Sequence, residues 1–419
     1  MANTVANVFT METVPLKFGW NLSQEVGYDA AYLSMKHVML LADPNVLELA
    51  AVVTKSLTEQ DITYTLFTDI ASEPTDKSWQ LAIDCAQAEK FDGFIAIGGG
   101  STLDTAKAAS LYSEYPDDFL AYINKPIGQA KPIPGPLKPL IAIPTTAGTG
   151  SETTSIAVVD ILDLNVKTGI SHRLLRPTLA VIDPANTLDC PGNVSAFCGL
   201  DVFSHALESY TSCHYTTKAA PERPELRPPY SGANPISDVW CEAALLKVHQ
   251  YLVRAYQSPG DREAREELIL ASSFAGMGFG NAGVHIPHAM SYPIAGHMKE
   301  IGSSLKVPHG QAVIFGAAAT MEFISDVLTE KHLKVLEILG MDTAKVKAED
   351  AAKHIADYIR NLIRSLELPN GLSAIGYKDE HIPALTQGTF MQERLMVQSP
   401  KEVTQSDIEE IYTKSMSLW

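Results

Sequence analysis

The chain is short of positive charge. Against 49 acidic residues it carries 32 lysines and arginines, a formal net charge of −17, and no arginine precedes Arg173. Most nucleic-acid affinity comes from neutralising phosphates with Lys and Arg, so DNA and RNA are not expected as partners, and anionic membranes are disfavoured on the same ground. Nor is there an apolar run of the ~18 residues that a membrane-spanning helix needs. The five cysteines (Cys85, Cys190, Cys198, Cys213, Cys241) are an odd set without a C-x-x-C pair, which fits a reducing compartment and packing roles better than a disulfide framework. The first residues lack a basic segment and an apolar segment, so neither a secretory signal nor an Arg-rich transit peptide is read there, and a cytoplasmic location is expected. An acidic protein can still hold an anionic substrate, but only through local cations, helix N-termini or a metal.

What is present suffices for large cores. The chain is 46% hydrophobic, and its 419 residues exceed the size at which one core keeps growing, so two domains are expected. From about Lys36 to Asp183, short apolar runs alternate with helical segments. The strand candidates are residues 37–41, 63–67, 93–97 and 139–143, and helical spacing runs from Asp76 to Lys90. That alternation is the pattern of βαβ units on a parallel sheet. After Pro184 the strand signals fade, and helices are expected near 195–212, 236–256, 261–280, 309–324, 330–340 and 348–366. The boundary is placed between Asp183 and Pro191, giving an α/β domain over residues 1–188 and a helical domain over 189–419. Residues 214–237 hold Pro221, Pro224, Pro228, Pro229 and Pro235 and are long for a plain connection, which marks a functional or interface loop.

The strongest nucleotide signal is Gly98-Gly99-Gly100-Ser101 between an apolar run and a helix-compatible segment. Glycines let a pyrophosphate approach the backbone, and the helix that follows offers free N–H groups and its positive dipole end. Ser101 and Asp104 have the spacing of an N-cap and its N3 partner. The spacing is not G-x-G-x-x-G, so a glycine-rich turn without a ligand stays open on this motif alone. Asp43, at the end of the first strand candidate, suits an adenosine ribose hydroxyl and would repel a 2′-phosphate, favouring NAD over NADP. Thr145, Thr146 and Thr149 follow another strand candidate as a polar rim for ribose and phosphate, or as a turn that satisfies its own backbone.

Asp201 and His205 stand four residues apart in a helix-compatible run and leave one face of that helix. They are either a helix-surface pair or half of a metal site, because two ligands hold a metal poorly. Candidate further donors are concentrated in residues 283–293, with His285 and His288, and 306–310, with His309.

Taken together, GGGSTLDTAKA at 98–108, IPTTAGTGSE at 143–152, GLDVFSHALE at 199–208, IPHAMSYP at 286–293 and PHG at 308–310 resemble the iron-containing, metal-dependent alcohol dehydrogenases. Within that family the resemblance is to the hydroxyacid-oxoacid transhydrogenases, through stretches that include YSGANPISDVW and the C-terminal IPALTQGTFMQERL. It spans nearly the whole chain. It implies an N-terminal Rossmann-like parallel-sheet domain and a C-terminal helical domain, the dehydroquinate synthase-like fold, with the site in the cleft. It implies metal ligation by Asp201, His205, His288 and His309, and NAD binding by Asp43, Gly98, Gly99, Gly100, Ser101, Asp104, Thr145, Thr146 and Thr149. Four protein ligands plus substrate exceed the habit of catalytic zinc, which favours Fe²⁺ with Zn²⁺ as the alternative. His285 and Tyr292 are candidate proton relays, or else a packed histidine and a buried tyrosine; many relatives in the family have a histidine where Tyr292 stands.

The resemblance further implies hydride transfer from 4-hydroxybutyrate to 2-oxoglutarate with NAD kept bound. The alternatives are an alcohol dehydrogenase that releases NADH and a non-catalytic NAD- or metal-binding scaffold. Small hydroxyacid or oxoacid substrates and a homo-oligomer, a dimer, are the expected partners. Lys218, Arg223, Arg227, Lys299 and Lys306 are the candidate cations for a substrate carboxylate.

Overall fold

The computed structural model describes residues 6–419, apart from residues 165, 225, 226, 299 and 304. The chain divides into two compact units, residues 13–191 and residues 192–419 together with residues 6–12. The α/β unit holds β1 (Leu16–Phe18), α1 (Val26–Tyr32), β2 (His37–Ala42), α2 (Leu47–Glu59), β3 (Thr63–Phe67), α3 (Asp76–Ala88), β4 (Gly93–Gly98), α4 (Gly100–Glu114), β5 (Leu140–Pro144), β6 (Ile156–Ile161), β7 (Val166–Ser171) and β8 (Leu179–Ile182). Six of these strands form one parallel sheet in the order β1-β8-β5-β4-β2-β3, while β6 and β7 pair as an antiparallel hairpin.

The central strands are apolar without alternation because both faces of the sheet are covered. Leu40, Ile95 and Ile141 pack with Val26 and Ala30 of α1 and with Val53 and Leu57 of α2. Their neighbours Met39, Phe94, Ala96 and Ala142 point the other way, onto Ala82 of α3 and onto Leu103 and Ala106 of α4. The strand order reverses between β2 and β4, and in an open parallel sheet ligands bind beyond the carboxyl ends of the strands at such a point.

The helical unit contains α5 (Gly192–Tyr210), α6 (Pro235–Gln257), α7 (Arg262–Ala282), α8 (Ile286–Gly296), α9 (His309–Phe323), α10 (Thr329–Ile338), α11 (Ala351–Ser365), α12 (Ile382–Phe390), α13 (Glu393–Met396) and α14 (Gln405–Ser415). α5 packs against α6, α7 and α9, and α8 lies between α9 and α12. Central position explains why α5 is buried almost all round from Gly199 to Tyr210.

One expectation needs correcting at the start of the chain. Residues 6–12 go with the helical unit rather than the α/β unit: the Ala6 amide donates to Lys218 O (2.8 Å), the Glu12 amide to Asn281 Oδ1 (2.9 Å), and Asn281 Nδ2 back to Glu12 O (3.0 Å). A terminal segment has no periodic pattern, and its tertiary contacts assign it, among them the Phe9 ring edge-on to Tyr215 at 4.9 Å.

His332 on α10 is fully buried, and neither ring nitrogen has a hydrogen-bond partner among the described residues. Burial pushes its pKa down to about 4 from 6.5. The unfolded chain therefore takes up a proton that the folded one refuses. Stability from this residue is complete above pH 6.5 and is lost as the pH falls toward 4, by on the order of 3 kcal/mol. His332→Leu is expected to narrow the difference between unfolding midpoints at pH 7.5 and pH 4.5 in urea titrations. An unchanged difference would assign the acid sensitivity to other groups.

Candidate metal centre and nucleotide turn

α5 presents Asp201, His205 and Glu208 at positions i, i+4 and i+7 of one helix face, all buried. His288 comes from the first turn of α8, where Pro287 sits at a position that needs no backbone N–H. His309 is the first residue of α9. The Nε2 atoms of His205, His288 and His309 lie 3.8, 3.5 and 3.7 Å from one atom, Asp201 Oδ1. Two donors ~2.1 Å from a tetrahedral ion stand roughly 3.4 Å apart, so the spacings are those of ligands sharing a metal.

Asp201 Oδ1 and His288 Nε2 are sealed from solvent without a hydrogen-bond partner among the described residues. Buried polar atoms of this kind are rare in folded proteins, and two that converge fit a cation. Asp201, His205 and His288 form a three-donor cluster, all buried; His309 is partly exposed and joins it through the Asp201 oxygen. The His205 ring is stacked between Phe279 (centroids 3.9 Å apart) and His288 (4.6 Å), which fixes its direction.

The electrostatics follow from burial and charge. Burial lowers the His205 pKa to about 3, against the pull of Asp201. Burial opposes Asp201 ionisation, but the three imidazoles outweigh it and hold the carboxyl well below its usual range. At His288 the burial penalty is exceeded by the charge and hydrogen bond of Glu208 and by the nearby Asp201 carboxylate, which raise it to about 9. Without a metal, a proton on His288 thus neutralises part of the charge between two carboxylates, the service a divalent cation would perform.

Sequence reasoning gave Glu208 no role. Its Oε1 pairs with His288 Nδ1 at 2.6 Å, and its Oε2 accepts from the amides of His285 (2.8 Å) and His288 (3.3 Å). Holding the proton on Nδ1 leaves the Nε2 lone pair for a metal. The available signal was its i+7 spacing from Asp201 within the same apolar run. Glu208→Gln is expected to weaken metal binding by about 10- to 100-fold, measured by competition with a chelator. Unchanged affinity would reduce Glu208 to a packing role.

Of the two candidate proton relays, His285 is buried beside the cluster, with Nε2 3.1 Å from Thr211 Oγ1 and Nδ1 without a partner among the described residues. Burial lowers its pKa to about 4. Tyr292, one turn beyond His288 on α8, accepts a hydrogen bond from Arg394 Nη2 at 2.8 Å. Of the candidate cations, Lys218 donates to Tyr230 O and Gln398 Oε1, Arg223 and Lys306 are exposed, Arg227 is half-buried, and Lys299 lies outside the described residues.

In the α/β unit the nucleotide candidates come together at the carboxyl ends of adjacent strands. Asp43 follows β2, Gly98 ends β4 and Thr145 follows β5. A Cβ on Gly98 would lie 2.3 Å from Thr102 Oγ1 and 3.0 Å from Asp43 Cβ, one on Gly99 3.4 Å from Thr146 Oγ1, and one on Gly100 2.6 Å from Thr149 Cγ2. Asp43 and the threonine rim leave no room for a side chain at Gly98 or Gly100, whereas a Cβ at Gly99 would make only ordinary contact. Asp43 accepts from Asn45 N and Nδ2 through Oδ1 alone, both at 2.8 Å.

Two details differ from expectation. α4 starts two residues early, with Gly99 as an N-cap that makes no side-chain cap, and Ser101 Oγ donates instead to Ser72 O (2.5 Å). Asp104 does not partner Ser101. It accepts from Ser151 Oγ (2.5 Å) and the Val158 amide (2.9 Å) and lies 3.4 Å from the buried Lys107 Nζ, because a buried cation demands a carboxylate more strongly than a helix start does.

The sequence matches the family model "Iron-containing alcohol dehydrogenase" over residues 15–184 and that for the C-terminal part of the Fe-containing alcohol dehydrogenase family over residues 230–416. It is 46% identical to a Xenopus laevis protein named hydroxyacid-oxoacid transhydrogenase, mitochondrial, over 100% of this chain and 92% of that one. A crystal structure of 1,3-propanediol oxidoreductase superposes with a TM-score of 0.86 at 24% identity, covering 98% of this chain and 100% of the other. A sulfoacetaldehyde reductase from Bifidobacterium kashiwanohense in complex with NAD⁺ gives 0.81 at 24%, covering 98% and 100%. These findings overturn the cytoplasmic expectation, since the Xenopus relative and its human counterpart are both named as mitochondrial. Composition near the start of a chain was too weak a ground for a compartment. With both halves matched by the family's models and the fold shared at full length, the chain belongs to the iron-containing alcohol dehydrogenases, oxidoreductases acting on CH–OH groups.

Proposed function

We propose that this protein transfers hydride from a hydroxyacid to an oxoacid through NAD that it keeps bound. In the reading we favour, 4-hydroxybutyrate is oxidised to succinic semialdehyde and 2-oxoglutarate is reduced to 2-hydroxyglutarate. The observation that carries this is 46% identity over the whole chain to a relative named for that reaction class. The convergence of three imidazoles on Asp201 Oδ1 supports a metal-assisted form of it.

In this reading Asp201, His205, His288 and His309 hold a divalent ion, Fe²⁺ by preference and Zn²⁺ as the alternative. Such an ion supplies Lewis acidity to the substrate oxygen in either direction. Glu208 sets the His288 tautomer, and His285, neutral above about pH 4, has a ring nitrogen without a partner among the described residues to receive the hydroxyl proton. Gly98 to Ser101 take the pyrophosphate at the α4 N-terminus, with Asp43 on the ribose and Thr145, Thr146 and Thr149 at the rim. Asp104 acts as a brace for the 151–158 segment rather than as a direct cofactor contact. The reading includes a dimer, which sedimentation velocity tests, and no nucleic-acid or membrane partner.

The deciding experiment gives purified, metal-loaded protein 4-hydroxybutyrate and 2-oxoglutarate with no added nucleotide. Formation of 2-hydroxyglutarate is the expected result. If product appears only when NAD is added, with NADH released to solvent, the protein is an ordinary alcohol dehydrogenase instead.

A further inference from the structure

We propose that Arg394, with Tyr292, is the anchor for the substrate carboxylate, and that one anchor serves both the hydroxyacid and the oxoacid. This rests on the hydroxyacid-oxoacid reading above. Among the described residues, no carboxylate pairs with the Arg394 guanidinium. Its Nη2 donates to Tyr292 Oη at 2.8 Å, its Cζ lies 5.9 Å from the Tyr230 ring centroid, and Nη1 is sealed from solvent without a partner among the described residues. Burial pushes the Tyr230 phenol up to about 12, so it stays neutral and does not compensate the positive charge. A half-buried guanidinium without a counterion is costly in a resting protein and useful in one that binds a planar anion through two parallel N–H bonds.

Position ties this group to the metal centre. Tyr292 leaves α8 from the same face as His288, four residues on, and α13, which carries Arg394, packs against α8. Tyr230 is close enough to Glu208 for that carboxylate to act on its hydroxyl, and its ring would touch a Cβ on Gly283 at 3.0 Å. Lys218 donates to Tyr230 O and Gln398 Oε1, so it holds the Tyr230 segment in place.

The spacing selects the substrate. Four residues of helix advance ~6 Å, and four bonds of an extended chain span roughly 5–6 Å. In 4-hydroxybutyrate the carboxyl carbon is four bonds from the hydroxyl oxygen, and in 2-oxoglutarate the distal carboxyl carbon is four bonds from the keto oxygen. Both substrates can therefore place the reacting oxygen at the level of His288 and a carboxylate at the level of Tyr292 and Arg394. The hydroxyl of Tyr292, accepting from Arg394, keeps its own proton to donate to the carboxylate.

The test compares kcat/KM for 4-hydroxybutyrate with that for butan-1-ol, the same chain without a charge, in metal-loaded parent and Arg394→Gln. The ratio is expected to fall about 10- to 100-fold in the variant, with KM for 4-hydroxybutyrate and for 2-oxoglutarate rising together. A purely structural Arg394 would lower both alcohols alike and leave the ratio unchanged, which overturns the inference. Should Arg394→Gln not fold, Arg394→Lys decides: it keeps the charge but loses the fork, so a ratio equal to the parent's overturns the assignment and a loss of about tenfold supports it. A parent that does not turn over hydroxyacids at all sinks the functional reading, and the anchor with it. A parent that does, together with an unchanged ratio in the variant, sinks the anchor alone.

Discussion

Asp201→Ala is expected to abolish metal binding and to lower kcat/KM by about 10³-fold, the loss that several kcal/mol of Lewis-acid assistance implies. The reason is geometric. Asp201 Oδ1 is the one atom that all three imidazoles face, at 3.5 to 3.8 Å, and it contributes the only negative charge among the four donors. Three neutral imidazoles alone would hold a divalent ion without compensating its charge. Metal content after dialysis is the first measurement, and the thermal midpoint with and without added Fe²⁺ or Zn²⁺ is the second. The parent should gain about 2.7 kcal/mol at a free metal concentration a hundredfold above Kd, and the variant nothing. A variant that retains one equivalent of metal would show that the cluster is not the metal centre.

Gly310→Ala is expected to match His309→Ala in lost metal affinity, although the new side chain is a single methyl. A Cβ on Gly310 would stand 2.0 Å from Phe197 O and 3.0 Å from both Cβ and N of Asp201. None of these can move without displacing the first turn of α9 from α5, and His309 is the residue that opens that turn. Overpacking of this sort costs about 1–3 kcal/mol in stability, so the midpoint of the metal-free protein should also fall. His309→Ala should lose the metal without that second effect. Metal affinity at the parent level in Gly310→Ala would mean that α9 does not depend on this close approach.

Much of the fold was legible in the sequence. Where elements are long or continuously apolar, expectation and structure agree: the strand candidates 37–41, 63–67, 93–97 and 139–143 fall on β2, β3, β4 and β5, and the long helices α5, α6, α7, α9 and α11 stand where periodicity placed them. Short or punctuated elements escaped. β1 has three residues, and the edge of a sheet is visible only once β8 is there to receive it. α8 contains Pro287 and Pro293, which read locally as helix breakers. Its helical form is decided by what it packs against and by Glu208, which accepts from the amides of His285 and His288 at its first turn.

The candidate site divides along the same line. The residue types, the i and i+4 placement of Asp201 and His205 on one helix face, and the glycine triplet at the end of an apolar strand follow from the chain's own order of residues, because local spacing and backbone sterics are written in consecutive positions. Folding alone brings His288 and His309 to Asp201 Oδ1, sets Glu208 rather than a loop residue to orient His288, gives Asp104 to Lys107, and leaves Arg394 beside Tyr292 with no carboxylate partner among the described residues. Each of these depends on which groups folding brings together. That is a property of the packed chain, set by contacts between residues as far apart as Asp201 and His309 or Tyr292 and Arg394, and no local pattern encodes it.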